Sequence, residues 1–127
     1  MALSTILGYP RIGQGRELKA ALESFWKGKS QESDLLQTAS ALRALHWKLQ
    51  QETGIDAVPA NDFSLYDQVL DTSAHFGVVP ARYQWNGAPV DLATYFAIAR
   101  GAQHSGIDVP ASDMTKWFDT NYHYIVP

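Results

Sequence analysis

The chain has 127 residues, enough for one domain with a hydrophobic core. Its composition, 46% hydrophobic and 18% charged, is typical of a soluble globular protein. A net charge of −3, without any cluster of Lys or Arg, argues against nucleic-acid and anionic-membrane partners. Neither a membrane-spanning run nor an export signal occurs, and the lack of cysteine excludes disulfides, thiolate zinc sites and cysteine nucleophiles. We therefore expect a cytoplasmic protein.

The segment Gly8–Lys19 joins a short apolar run, Leu3–Leu7, to an amphipathic helix. Its glycines permit positive φ or a close approach of a ligand to the backbone. A loop that enters a helix leaves N–H groups free, and Arg11, Arg16 and Lys19 add positive charge to it. These features suit a carboxylate or a phosphate, although basic residues at a helix start are also common as solvated surface. The spacing matches neither a Walker-type phosphate loop nor the dinucleotide-binding fingerprint.

Hydrophobic periodicity predicts two helices after this segment. The first ends at Gly28, and its apolar stripe consists of Leu18, Ala21, Leu22, Phe25 and Trp26. The second has Ser30 as its N-cap and ends at Gly54, and its apolar face consists of Leu35, Ala39, Leu42, Leu45, His46 and Leu49. Leu3–Leu7 is predicted as a buried strand before the first helix, and Ile55–Pro59 as a short strand after the second.

The second half of the chain predicts two more helices. One is capped by Asp62 or Ser64 and ends at Gly77, and its face consists of Leu65, Val69, Ser73 and Phe76. The other is capped by Asp91 and ends at Gly101, and its face consists of Leu92, Tyr95, Phe96 and Ala99. Between them, Val78–Pro89 is a connection with room for one helical turn.

The last quarter of the chain predicts a loop and a strand. Residues 102–112 hold Gly106, Pro110 and several small polar residues, which predict an exposed, mobile loop. Tyr122–Val126 has strong strand propensity and follows the turn residues Asp119–Asn121. The complete order is strand, helix pair, strand, helix pair, strand, which indicates an α/β fold with parallel strands and right-handed crossovers. Three strands are few for so many helices, so we expect the beginning of a larger domain.

Spacing alone assigns little catalytic chemistry. The four histidines form no zinc-binding pair, and His46 is expected in the core because it lies on an apolar helix face. Asp62, Asp67 and Asp71 are the candidate acids. Asp67 and Asp71 share a predicted helix face, but like-charged surface carboxylates are common. We therefore assign these aspartates no catalytic role.

Lys116 begins a second candidate binding segment. It precedes Trp117 and Phe118, and Asn121 and His123 follow within a few residues. A cation, aromatic surfaces and hydrogen-bonding groups together suit a planar, anionic small ligand. The alternative, which spacing slightly favours, is an exposed lysine beside core aromatics. For His123 a structural and a functional role remain equally open.

Three blocks, in the same order along the chain, resemble the cobalamin-independent methionine synthase family. They are Leu7–Gly13 with Arg16–Lys19, then Asn61–Ser73, and finally Met114–Pro127. The resemblance implies a parent of two tandem (β/α)8 barrels. It makes residues 1–127 the N-terminal portion of the folate-binding N-terminal barrel domain. In that interpretation the chain is an incomplete (β/α)8 (TIM) barrel, its first strands joined by helical-pair crossovers.

The family's activity implies the partners and site residues. Its enzymes transfer a methyl group from 5-methyltetrahydropteroyl-polyglutamate to L-homocysteine, forming L-methionine, and zinc in the C-terminal catalytic domain of the same chain activates the thiol. The resemblance therefore implies no cofactor in residues 1–127 and polyglutamylated 5-methyltetrahydrofolate as their ligand. By position, Arg16, Glu17, Leu18 and Lys19 match the family's folate-binding segment, and Lys116 matches its later folate-binding lysine. The charges agree, since a polyglutamate tail is a string of carboxylates.

The length implies a fragment. A (β/α)8 barrel takes about 250 residues, so we expect a truncated N-terminal piece that is inactive in methyl transfer alone, because it cannot activate a thiol. The alternative is a stand-alone, non-catalytic binding or assembly module derived from the same domain. Its incomplete sheet would then need a partner chain at its edge.

Overall fold

The computed structural model describes residues 1–104 and 107–127, which divide into two units, Met1–Leu65 and Tyr66–Pro127. The first unit contains the helices α1 (Glu17–Trp26) and α2 (Glu32–Glu52). The second contains α3 (Gln68–His75), a 3-10 turn (Ala81–Tyr83), α4 (Leu92–Arg100) and the strands β1 (Ala102–His104), β2 (Ile107–Val109), β3 (Met114–Lys116) and β4 (His123–Ile125). None of the described helices is long and apolar enough to cross a membrane.

Helices α1 and α2 form the predicted helical pair and bury one stripe each. The buried residues are Leu18, Leu22, Leu35, Ala39, Leu42, His46 and Gln50. Leu45 and Leu49, predicted on the same face, are 60% and 40% exposed.

The predicted N-cap of α2, Ser30, is wrong: Gln31 is the N-cap, and its N–H donates to Asp34 Oδ2 at 2.8 Å. An acid at the third helical position bonds back to the cap in this way and fixes the start one residue later.

The predicted first two strands form a single parallel bridge, between Thr5 and Ala57. Its parallel direction is as expected, and Asp56 Oδ2 reinforces it by accepting from Ser4 N at 2.8 Å. Hydrogen bonds from Ser4, its backbone N–H first, lower the pKa of the Asp56 carboxyl. The prediction of a buried strand is wrong, because Leu3 is 76% exposed and Leu7 is fully exposed.

The ends of the helices in the second unit show which capping predictions hold. Asp91 caps α4 as predicted, with its Oδ1 accepting from Thr94 N at 2.7 Å. Helix α3 is capped by Asp67 and not by Asp62 or Ser64, since Asp67 Oδ2 accepts from Leu70 N at 2.9 Å. Gly77, with φ 68°, follows α3 where the sequence predicts its end. The predicted connection between α3 and α4 contains one helical turn, the 3-10 turn Ala81–Tyr83, for which the sequence left room.

Two antiparallel hairpins replace the predicted parallel pairing in the second unit. Residues 102–112 are not simply a loop: β1 pairs with β2, Ala102 opposite Val109, although Ser105 and Gly106 lie outside the described residues. Strand β4 confirms the centre of the predicted terminal strand and pairs with β3. The described residues therefore form an α/β mixture of helices and short strands without a closed barrel.

Candidate functional site

Segment Gly8–Lys19 is held in place by residues more than fifty positions later in the first unit. Tyr9 N donates to Asp62 Oδ2 at 2.7 Å. Arg11 Nε donates to Ser64 Oγ at 3.1 Å, and Ser64 is 3% exposed. Two of the blocks singled out by the sequence thus meet in space. Asp62 and Ser64, predicted as helix caps, position this loop.

Two residues at the ends of one turn have positive φ before α1 begins. Gly13 has φ 91°, and Arg16, the N-cap of α1, has φ 61°. Arg16 N donates to Gly13 O at 3.0 Å, which closes the turn. The Glu17 carboxylate folds back over it, and its Oε2 accepts from Gly15 N at 3.0 Å. A left-handed non-glycine residue is strained, so these contacts are needed to hold Arg16 there.

The side chains of Arg16, Lys19 and Leu18, the other residues of the predicted folate segment, differ in how accessible they are to a ligand. The Arg16 side chain is exposed, and no carboxylate of the described residues lies within ion-pair distance of it. Lys19 is half-exposed and pairs with Glu23 at 3.7 Å, a surface pair that water screens. Leu18 is 0% exposed. Its side chain belongs to the core and cannot touch a ligand from this position.

Lys116 lies in the second unit, on strand β3 opposite His123. Its side chain is exposed, and within residues 1–104 and 107–127 no acid pairs with it. Trp117 packs edge-on against Tyr124, with ring centroids 5.6 Å apart, so the neighbouring aromatics are partly a surface cluster. His123 is exposed, with Nδ1 3.1 Å from Asn121 O. This contact leaves both roles for His123 open.

The predicted core position of His46 is confirmed. It is 7% exposed, and its ring centroid lies 4.5 Å from that of Tyr9. His46 therefore supports the Gly8–Lys19 segment from α2.

Asp67 is buried, contrary to the surface position expected from its spacing. It is 4% exposed and accepts three hydrogen bonds in the second unit: from Leu70 N, from Tyr122 Oη at 2.7 Å and from Ile125 N at 3.2 Å. These bonds join α3 to β4, the strand that pairs with the Lys116 strand. Sequence reasoning missed this role because nothing local distinguishes a buried cap from an exposed one.

Asp71 accepts a hydrogen bond from Tyr95 Oη, and Tyr95 Oη in turn accepts from Tyr66 N at 3.0 Å. Burial first, and then the negative charge of Asp71, raise the pKa of Tyr95 far above its ordinary value of 10.0. Both effects disfavour the phenolate. The phenol therefore stays protonated and serves as a structural donor between α4 and α3.

This shift predicts a stability loss at high pH. Above about pH 10 the unfolded chain releases the Tyr95 proton while the folded protein keeps it, so the stabilising contribution is complete below that pH and declines above it. We expect Tyr95→Phe, although less stable at neutral pH, to lose less stability than the wild type between about pH 8 and 11. Urea titrations of both proteins at the two pH values measure this difference. Equal losses in both would contradict the assigned shift.

Among the described residues, no three His, Asp or Glu side chains converge as a metal site.

Comparison with known proteins gives consistent matches. The family model described as "Cobalamin-independent synthase, N-terminal domain" matches residues 3–127. Relatives named 5-methyltetrahydropteroyltriglutamate–homocysteine methyltransferase include proteins from Parvibaculum lavamentivorans (60% identity), Salinibacter ruber (58%) and Rhodopseudomonas palustris strain TIE-1 (57%). Each alignment covers 100% of this chain but only 16%, 17% and 18% of the respective relative. The chain therefore spans less than a fifth of their length, and it belongs to the cobalamin-independent methionine synthase family, in the N-terminal domain.

Proposed function

We propose that this chain is the N-terminal portion of a methyltransferase that moves a methyl group from 5-methyltetrahydropteroyl-polyglutamate to L-homocysteine, forming L-methionine. Its own contribution is binding of the folate's glutamate tail. The names of the relatives support the reaction, and the small share of their length supports a role as one part of a larger protein. The catalytic zinc belongs to the C-terminal domain of that parent, so this chain alone does not activate homocysteine.

The observation that carries the binding role is the presentation of Arg16. Its left-handed backbone is fixed by the turn from Gly13, and its guanidinium is exposed and unpaired within the described part of the chain. A guanidinium can hold a carboxylate through two parallel hydrogen bonds, which suits a γ-linked glutamate tail. Lys19, the third residue of α1, adds a second positive charge at the same helix end, where its surface pair with Glu23 is screened by water.

Lys116 is the further binding residue that we propose, in the second unit. It is exposed on β3, and a lysine there can pair with a carboxylate as a point charge. Leu18 contributes only through the core packing that fixes α1.

We further propose that the first unit begins an incomplete (β/α)8 barrel. The parallel Thr5–Ala57 bridge has the strand direction of such a barrel. Leu3 and Leu7, on either side of the bridge, are apolar and exposed. Additional parallel strands beside this pair would complete the ladder, and the layers that pack on the two faces of such a sheet would bury these side chains.

Charge removal in the full-length enzyme tests the binding role. We expect Arg16→Gln and Lys116→Gln each to raise KM for the triglutamate folate about fivefold to tenfold, because each loses one charge-assisted contact. The monoglutamate folate should show a smaller change, and kcat should stay near the wild-type value because methyl transfer occurs in another domain. Steady-state kinetics with both folates give these values.

Lys48→Gln is the matched control. Lys48 is exposed and pairs with Glu52 on α2, so its loss removes one charge without touching either proposed segment. Its KM should equal that of the wild type. An unchanged KM in both Arg16→Gln and Lys116→Gln would remove the basis for assigning these residues to the folate.

A further inference from the structure

We propose that Glu17 is a positioning residue, which holds the left-handed turn that presents Arg16 and does not itself contact the ligand. The role depends on Arg16 binding the tail, as proposed above. It departs from a simple transfer of the family's binding segment, in which Glu17 would count as one of four contact residues.

The geometry places the Glu17 carboxylate against two glycines. Its Oε2 accepts from Gly15 N at 3.0 Å. A Cβ built on Gly13 would lie 2.0 Å from the same oxygen, and one on Gly15 would lie 3.0 Å from Oε1. The carboxylate therefore occupies the space that both missing side chains leave free. Arg16 is thus restrained by two bonds: its own N–H donates to Gly13 O, and its two neighbours are joined by the bond from Gly15 N to Glu17 Oε2.

The charge of Glu17 supports the same role. A carboxylate that touched a polyglutamate tail would place like charges together, which costs binding energy. Folded onto Gly15 N, the same carboxylate instead satisfies the N–H that precedes the N-cap of α1, and in the first turn of the helix it interacts favourably with the helix dipole. Glu17 therefore improves binding only by restraining its neighbour Arg16, whose φ of 61° is otherwise unfavourable.

The test uses variants of the full-length enzyme. Glu17→Ala should raise KM for the triglutamate folate about fivefold, by losing the acceptor for Gly15 N. Glu17→Gln keeps an oxygen acceptor and should recover most of that loss. If the charged Glu17 carboxylate contacted the ligand directly, Glu17→Gln would remove the charge as Glu17→Ala does, and the two substitutions would raise KM equally. In both variants kcat should change less than KM.

A double mutant shows whether Glu17 acts through Arg16. If it does, Glu17→Ala should have little further effect on KM in an Arg16→Gln background, since the residue to be positioned is gone. Independent, multiplying effects would overturn the positioning role. If Arg16→Gln alone leaves KM unchanged, the proposed folate role of this segment fails, and that result is distinct from a failure of the coupling.

Gly13→Ala perturbs the turn from its other side. The added methyl displaces the carboxylate, and the positive φ strains the alanine, so KM should rise as in Glu17→Ala. Glu32→Ala is the matched control, because Glu32 is an exposed acid in the first turn of α2. It should leave KM unchanged, and a rise of similar size would show that any first-turn acid has this effect.

Discussion

Replacing Asp67 with alanine is expected to destabilise the second unit by about 3 kcal/mol or more. The 4%-exposed carboxylate accepts bonds from Leu70 N, Tyr122 Oη and Ile125 N. Alanine offers none of these donors an acceptor, and a buried donor without an acceptor is costly. The two backbone N–H groups belong to α3 and β4, so one substitution loosens both the helix start and the terminal hairpin.

Replacing Asp67 with asparagine separates the contribution of its charge to stability from that of its hydrogen bonds. Its oxygen can accept from the two N–H groups, and its amide can donate to Tyr122 Oη after that hydroxyl rotates. We therefore expect Asp67→Asn to cost about 1 kcal/mol. Asp91→Ala, which removes an exposed cap whose hydrogen bonds go to Thr94 in its own turn, should also cost about 1 kcal/mol.

Urea unfolding gives the free energies, and amide hydrogen exchange at Leu70 and Ile125 shows where the loss occurs. Asp67→Ala should accelerate exchange at both amides, whereas Asp91→Ala should leave them protected. A loss for Asp67→Ala no larger than for Asp91→Ala would mean that the three bonds do not act together.

Helix ends were predictable where the signal is local. Gly28 and Gly77 follow their helices with φ 66° and 68°, as a left-handed glycine at a helix end requires. Asp91 bonds to the N–H three residues on, a contact that depends on nothing outside its own turn. These predictions needed no tertiary structure.

The start of α3 was not predictable in the same way. Asp62, Ser64 and Asp67 are equally good caps by residue type. Tyr9 and Arg11, distant in sequence, engage Asp62 and Ser64, and this leaves Asp67 as the cap. Side chains far along the chain therefore decided between local alternatives of similar strength.

Strand pairing was the weakest part of the prediction for a related reason. A strand's propensity does not specify its partner, and three-residue strands carry too few alternations to show a buried face. Residues 102–112, rich in small polar residues, satisfied a loop pattern and yet contain β1 and β2. Strand β3, with all three residues exposed, gave no apolar pattern.

The candidate site shows a similar division. The resemblance identified Arg16–Lys19 and Lys116 as one set of binding residues. Within Arg16–Lys19, however, the helix makes one side chain buried and the others exposed. Successive residues on α1 point about 100° apart, so Leu18 faces the core while its neighbours face solvent. The folding back of Glu17 could not be derived from spacing, because it depends on the space above Gly13.

Leu18→Ala is therefore expected to act on stability, by about 3 kcal/mol, and not on ligand contacts. Leu18 is 0% exposed, so alanine leaves a cavity that the surrounding core closes only in part. Urea unfolding measures the loss. Leu45→Ala is the matched control, because it removes the same atoms from a side chain that is 60% exposed, and it should cost less than about 1 kcal/mol.

Leu18→Met distinguishes packing from binding at this position. Methionine fills a similar volume without a branched end, so the loss of stability should stay below about 1.5 kcal/mol. In the full-length enzyme its KM for the triglutamate folate should match that of the wild type, because no side-chain contact with the ligand is lost. A large rise in KM with nearly intact stability would show that the Leu18 side chain leaves the core to meet the folate, and the division of this segment into core and ligand-facing residues would then be wrong.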